Sequence, residues 1–128
     1  MKNLSLVLTV LLVVFSSCND DDNEPGITSR TLRYELTGNF SGSNMLAAYT
    51  TANGGATTEE IPSLPWAKEI TFDSNVGGAS MVVSGTGGLA GQQVTMIIKK
   101  GGAQVGTPIT TPANGGGTFT ISSPVITF

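Results

Sequence analysis

From Thr31 onward, glycine-bearing turns break the chain so often that no helix-length stripe of apolar side chains can form. The breaks include Asn53-Gly54-Gly55, Gly85–Gly91 and Gly101-Gly102. Between them the sequence alternates. Thr31–Gly38 (TLRYELTG) sets Leu32, Tyr34 and Leu36 against Arg33, Glu35 and Thr37. That period of two puts the apolar set on one face and the polar set toward water, as in a half-buried strand. No window outside the first 15 residues has a helical period.

The same reading extends along the domain. Strands are expected at Met45–Thr51 and Thr57–Ile61, on either side of Ala52-Asn53-Gly54-Gly55. Asn-Gly is a strong hairpin signal, because a two-residue turn of that kind needs both central residues at φ > 0. Trp66–Phe72, Ala79–Ser84, Gln93–Lys100 and Gln104–Thr110 follow, then Thr118–Phe128, broken near Ser123-Pro124. Seven or eight short strands at this spacing predict an all-β domain, an Ig-like antiparallel β-sandwich, with a barrel as the alternative. The expected core is Leu32, Tyr34, Leu36, Trp66, Ile70, Phe72, Val94, Met96, Ile98, Phe119 and Ile121.

The N-terminus reads differently. Lys2 precedes an apolar run from Leu4 to Phe15 (LSLVLTVLLVVF). That run suits the h-region of a signal peptide and falls short of the ~18–20 residues of a spanning helix. Ser16 and Ser17 then precede Cys18, the sole cysteine. Small residues before a cysteine form the lipobox pattern, so residues 1–17 are expected to be a lipoprotein signal peptide and Cys18 its lipidation site. An ordinary secretory signal and a short uncleaved anchor are the competing readings. Diacylglycerol and acyl chains on Cys18 would anchor the chain unaided, each buried CH₂ contributing about 0.8 kcal/mol.

Residues 18–30 are expected to be a flexible tether. Asp20, Asp21, Asp22 and Glu24 crowd into its first half, and clustered like charges stay solvated and extended. An acidic run at this place resembles the surface-export signal of Bacteroidota lipoproteins. It implies an outer-membrane lipoprotein displayed at the surface. A plain spacer is the simpler reading, and enterobacterial sorting logic would favour retention at the inner membrane, facing the periplasm.

Residues 31–128 form the remaining unit, and its chemistry is sparse. Beyond Pro25 five acids balance five bases, which leaves no electrostatic footprint for nucleic acid. With no histidine and one cysteine, the residues of most nucleophilic triads and zinc sites are missing. No metal, cofactor or enzymatic activity is expected. Glu35 and Glu69 point outward by alternation, and Glu59-Glu60 adjoin a hairpin, so no carboxylate pair for glycoside hydrolysis is read. Gly85-Thr86-Gly87-Gly88-Leu89-Ala90 fits a relaxed dinucleotide fingerprint, but no helix follows it. Trp66, the sole tryptophan, opens a strand. It reads either as core or as an exposed aromatic platform, with Lys68 on the same face at the rim.

Three segments occur in an order that resembles the soluble domain of the mycobacterial small membrane protein (MmpS) family. They are Tyr49-Thr50-Thr51-Ala52-Asn53-Gly54, Glu59-Glu60-Ile61 and Leu64-Pro65-Trp66-Ala67-Lys68, preceded by Tyr34-Glu35-Leu36 as first strand. The likeness covers Leu32 to Phe72 well and the remainder loosely. It implies an Ig-like sandwich on a membrane anchor and partnership with an RND-type exporter. That family uses a transmembrane helix where this chain has a lipobox, and its late-strand cysteines are missing here. The expected function is therefore a membrane-anchored, non-enzymatic accessory or binding module of the envelope. The alternative is a surface lipoprotein for glycan or host-ligand binding or adhesion.

Overall fold

The computed structural model describes residues 29–128; the signal segment, Cys18, Asp20, Asp21, Asp22 and Glu24 lie outside the described residues. The strands are β1 (Thr31–Gly38), β2 (Asn44–Thr50), β3 (Ala56–Glu60), β4 (Trp66–Thr71), β5 (Gly78–Ala79), β6 (Met81–Thr86), β7 (Gln93–Lys100), β8 (Ala103–Gln104), β9 (Ile109–Pro112), β10 (Phe119–Ser122) and β11 (Ile126–Thr127). All pairings are antiparallel. One sheet runs β4-β1-β7, with β8 and β9 following one another along the far side of β7, and the other runs β10-β6-β2-β3. A short β5–β11 ribbon completes the set.

Two antiparallel sheets pack face to face, so the sandwich is the expected one. The strand number exceeds seven or eight because three elements are only two residues long. The segment 104–110 splits around Gly106 and Pro108, and Ser123-Pro124 separates β10 from β11, as expected. The layering is Ig-like, whereas the connectivity is its own. In immunoglobulin domains the first two strands share a sheet; here β1 and β2 lie in opposite sheets.

Alternation decides what each sheet buries. Leu32, Tyr34 and Leu36 of β1 meet Val94, Met96 and Ile98 of β7, and across the layer stand Met45, Ala47, Met81, Val83 and Ile121. Every expected core residue is buried except Trp66, which is half-buried and packs against the core's margin. The edge position of β4 explains this, since no neighbouring strand covers its outer side. Phe40, Tyr49, Ile61, Val76 and Ala113, which sit in turns or among polar residues, join the core as well.

The strand directions sort the connections into two ends. At one end, called here the tip, segments 39–43, 61–65, 87–92 and 113–118 each cross from one sheet to the other. Phe40 plugs this end against Phe119, ring centroids 4.7 Å apart and nearly perpendicular, a contact worth about 0.5–1.5 kcal/mol beyond its area. Gly85 and Gly88 make room for it: a Cβ on either would come within 2.8 Å and 2.4 Å of the Phe40 ring. Gly117 packs on the backbone, with φ 73° and its would-be Cβ 2.1 Å from the Gly88 carbonyl. Gln92 stitches two crossings, its Oε1 accepting from the amides of Ser41 and Leu89.

The opposite end, the base, holds the hairpins and a fifth crossing, residues 72–80 with β5, which passes from β4 to β6. Gly101 and Gly102 have φ of 61° and 91° and form the two-residue turn between β7 and β8. The Asn53-Gly54 hairpin departs from expectation. Only Gly54 has positive φ there (94°), and the Gly54 amide donates to the Thr51 carbonyl. This is a three-residue loop ending in a left-handed glycine, with Asn53 Oδ1 accepting from Thr51 Oγ1 and the Gly55 amide instead of taking φ > 0. Arg30 closes the base by donating to the carbonyls of Phe72, Asp73 and Val76, while its guanidinium lies 4.8 Å from the Phe128 ring centroid. Lys100 approaches the same ring at 5.3 Å.

Since β11 pairs with β5, Ile126 is buried and Phe128 packs on Phe72 at 5.2 Å, the last six residues belong to the folded unit. Truncation after Ser122 is expected to abolish the cooperative thermal transition. A truncated chain that still melts cooperatively near the full-length temperature would contradict this.

Candidate functional site

Two features adjoin the lateral edge where β3 of one sheet faces β4 of the other. The first is a polar clasp inside the seam. Glu59 is paired with Ala47 in register, so it points toward the inner face of its sheet, as Tyr49 does from β2. Lys68 points inward from β4 opposite Tyr34. The Tyr49 hydroxyl donates to Glu59 Oε1 at 2.7 Å, and Lys68 Nζ reaches the same oxygen at 3.1 Å. Lys68 Nζ also lies 5.6 Å from the Tyr49 ring centroid.

The electrostatics follow from this packing. The hydrogen bond from Tyr49, then that from Lys68, holds the Glu59 carboxyl below its ordinary range. Lys68 is raised, first by Glu59 and then by Tyr49. Tyr49 is raised chiefly by burial, with Glu59 adding to it. Each shift moves the group's titration further from neutral pH. A general acid or base works best with a pKa near the operating pH, and this triad moves the other way. It is chemically a clasp between the two sheets.

The second feature is a concavity of about 300 Å³ on the outer face of β1 and β4, near the tip, lined by Arg33, Glu35, Leu36, Thr37, Pro65, Trp66 and Ala67. Its cause is a small side chain among large ones. Ala67 faces outward opposite Glu35, between the proline that precedes the strand and Glu69. Arg33 Nε donates to Glu35 Oε2 at 2.8 Å, and Lys99 Nζ lies 3.4 Å from the same oxygen. The Arg33 hydrogen bond, with Lys99 adding to it, keeps Glu35 charged below the usual carboxylate range. A further concavity of about 290 Å³ lies on the other sheet beside Asn44, Leu46, Glu60 and Pro62.

The structure thus separates the two residues that sequence reasoning grouped. Trp66 lines the concavity; Lys68, on the same strand face, turns into the seam and finds Tyr49 instead of the indole. In the sequence alone Arg33 and Thr37 are only solvent-facing strand residues, and Glu59 only a charge beside a hairpin. Among the described residues no three His, Cys, Asp or Glu side chains gather in a way that could hold a metal ion. No helix of the described residues is long and apolar enough to cross a membrane, which says nothing of spans made by strands.

No family model matches the chain. No curated protein matches it either.

One buried group stands apart from both features. Tyr34 is fully buried, its hydroxyl has no hydrogen-bond partner among the described residues, and burial pushes its pKa up to about 12. An unpaired buried hydroxyl costs about 1–3 kcal/mol. Tyr34→Phe is therefore expected to leave stability unchanged or raise it within that range in urea melts at neutral pH. The raised value also fixes a sign. Neutral Tyr34 stabilises the fold fully below the unfolded value near 10, and this contribution fades as pH rises toward about 12. The advantage of the Phe variant should widen across that alkaline window; a variant less stable than wild type by more than ~1 kcal/mol would refute the assignment.

The clasp has its own pH signature. Glu59 is depressed, so its stabilisation is present above the unfolded carboxyl value of about 4.3 and is lost as pH falls through the lower folded value. The partners' side chains are 34% and 37% exposed, which limits the pair to about 1 kcal/mol or less. Thermal melts of Glu59→Gln and wild type should differ modestly at pH 7 and converge in acid. A gap that persisted below the folded pKa would mean Glu59 contributes through packing alone.

Proposed function

We propose that this chain is an envelope lipoprotein, anchored through acyl chains on Cys18, whose β-sandwich is a non-enzymatic binding module held on an acidic tether. One arrangement supports the reading best. The described chain enters the domain at the base, beside Arg30 and Phe128, while four of the five inter-sheet crossings and the Trp66 concavity lie toward the other end. Eight residues of β1 separate the two ends, roughly 25 Å at 3.3 Å per residue. A module fixed at its base turns those crossings away from the anchor.

The tip is also built to keep its shape. Phe40, the close-packed glycines and the Gln92 hydrogen bonds hold the crossings to one another, and a surface ordered before binding loses less freedom when a ligand arrives. The balanced charge beyond Pro25 favours ligands or partners selected by shape and short-range contacts over polyanions. The clasp, whose three groups titrate away from neutral pH, supports a non-catalytic role.

A second reading keeps the anchor and changes the partner. An accessory subunit of an RND-type exporter, facing the periplasm, draws support from the position of the Leu64-Pro65-Trp66 segment. It enters β4 directly, after a hairpin closed at Gly54, in the order that the MmpS resemblance implies.

Protease accessibility on intact cells separates the two. With Asp20, Asp21 and Asp22 native, cleavage of the domain from outside is expected, and with all three changed to Ala, protection. If neither form is cut until the outer membrane is opened, the surface reading fails and the periplasmic accessory role takes its place.

A further inference from the structure

We infer that the concavity on the outer face of β1 and β4 is a binding subsite for a neutral pyranose unit of a glycan. The inference rests on the binding-module reading and names its ligand class. Three observations carry it. The trough is lined on the outer face by exposed Ala67 and Pro65, so an apolar sugar face has apolar atoms to lie against, while Trp66 borders it from the inward strand face, packed on the core's margin. Along its side, Arg33 and Glu35 are joined at 2.8 Å, which fixes a donor fork next to an acceptor pair. Adjacent sugar hydroxyls each donate and accept, and a guanidinium beside a carboxylate satisfies both capacities at once. Thr37 adds a hydroxyl farther along the same face.

Charge selects the class of sugar. Arg33 and Lys99 lie on this face with Glu35 and Glu69, two cations against two anions. Glu35 already pairs with both Arg33 at 2.8 Å and Lys99 at 3.4 Å, so a sugar carboxylate or sulfate would have to displace it to reach either cation. A neutral ring needs no such displacement. The volume of about 300 Å³ accepts a single ring and lies at the small end of ligand pockets. Binding through one such ring is weak, and repeated copies on a surface would raise it through avidity.

Trp66 is the only tryptophan and borders the site, so its emission reports on what occupies it. The full mature chain, purified in a detergent with a sugar-free headgroup, is titrated with maltohexaose, cellohexaose, mannohexaose and xylohexaose, and with oligogalacturonate as the acidic control. At least one neutral oligomer is expected to give a saturable change in Trp66 emission, with oligogalacturonate binding at least tenfold more weakly. Because Trp66→Ala risks unfolding the β4 edge, the deciding variant is Ala67→Ile, which fills the trough at an exposed, strand-compatible position. It should weaken binding at least fivefold while the thermal transition stays in place. Arg33→Met, which keeps the aliphatic stem, should do the same. Silence with all neutral oligomers, a preference for the acidic one, or undiminished binding by Ala67→Ile would each overturn the inference. None of these outcomes touches the anchoring proposal, which fails or stands on protease accessibility alone.

Discussion

Three of the four crossings at the tip meet around one side chain. Phe40 leaves β1, turns under the end of the core and lies edge-on to Phe119, with Gly42, Gly85 and Gly88 close about it. The sheets of a sandwich are held together by the faces they bury, but chain passing from one to the other must cross an open end. There a buried amide without a partner is costly. Phe40 supplies the apolar floor, while the glycine backbones approach it closely enough to bond one another, Gly88 to Gly117 and Gly91 to Ala113. A larger residue at Gly88 would lift the crossing off its floor. The position of every strand that follows such a crossing depends on this packing.

Much of this architecture was legible in the residues, and the reason is the strength of alternation in the central strands. β1 and β7 each bury three large side chains in phase, so their faces could be assigned without a partner in view. β3 could not be read this way. Ala56-Thr57-Thr58-Glu59-Glu60 contains no large apolar residue, and its phase is dictated by pairing with β2, where Glu59 falls opposite Ala47. The clasp was therefore hidden, although Tyr49, Glu59 and Lys68 were each in plain sight. Phe40 and Ala113 escape such a reading for a related reason. They lie outside the strands, and periodicity says nothing about a residue in a crossing.

The concavity shows the same limit from another side. Trp66 and its strand were visible, but the trough depends on Ala67 being small beside Glu35, a neighbour 32 positions away in sequence, and on Arg33 bonding along its own strand. Cross-strand neighbours of this kind are fixed by register. The hairpins were partly legible. Both glycine turns were placed correctly, yet the two-residue form belongs to Gly101-Gly102, while Asn53 uses its side chain to cap the turn.

The poverty of β3 in apolar residues has a consequence for how the sheet avoids misfolding. A strand with an apolar face resists slippage, because a shift by one residue would turn that face to water. β3 has no such face and lies at an edge, where the penalty for sliding along β2 is small. The inward-pointing, partly exposed carboxylate takes over that task. Moved one place one way, the strand would offer Thr58 and leave Lys68 and the Tyr49 hydroxyl without their acceptor. Moved the other way, it would offer Glu60 as acceptor, but buried Ile61 would turn from the core. Glu59 and Ile61 together thus act as a key that fits one lock, and the same inward charge discourages a foreign strand from adding at that edge.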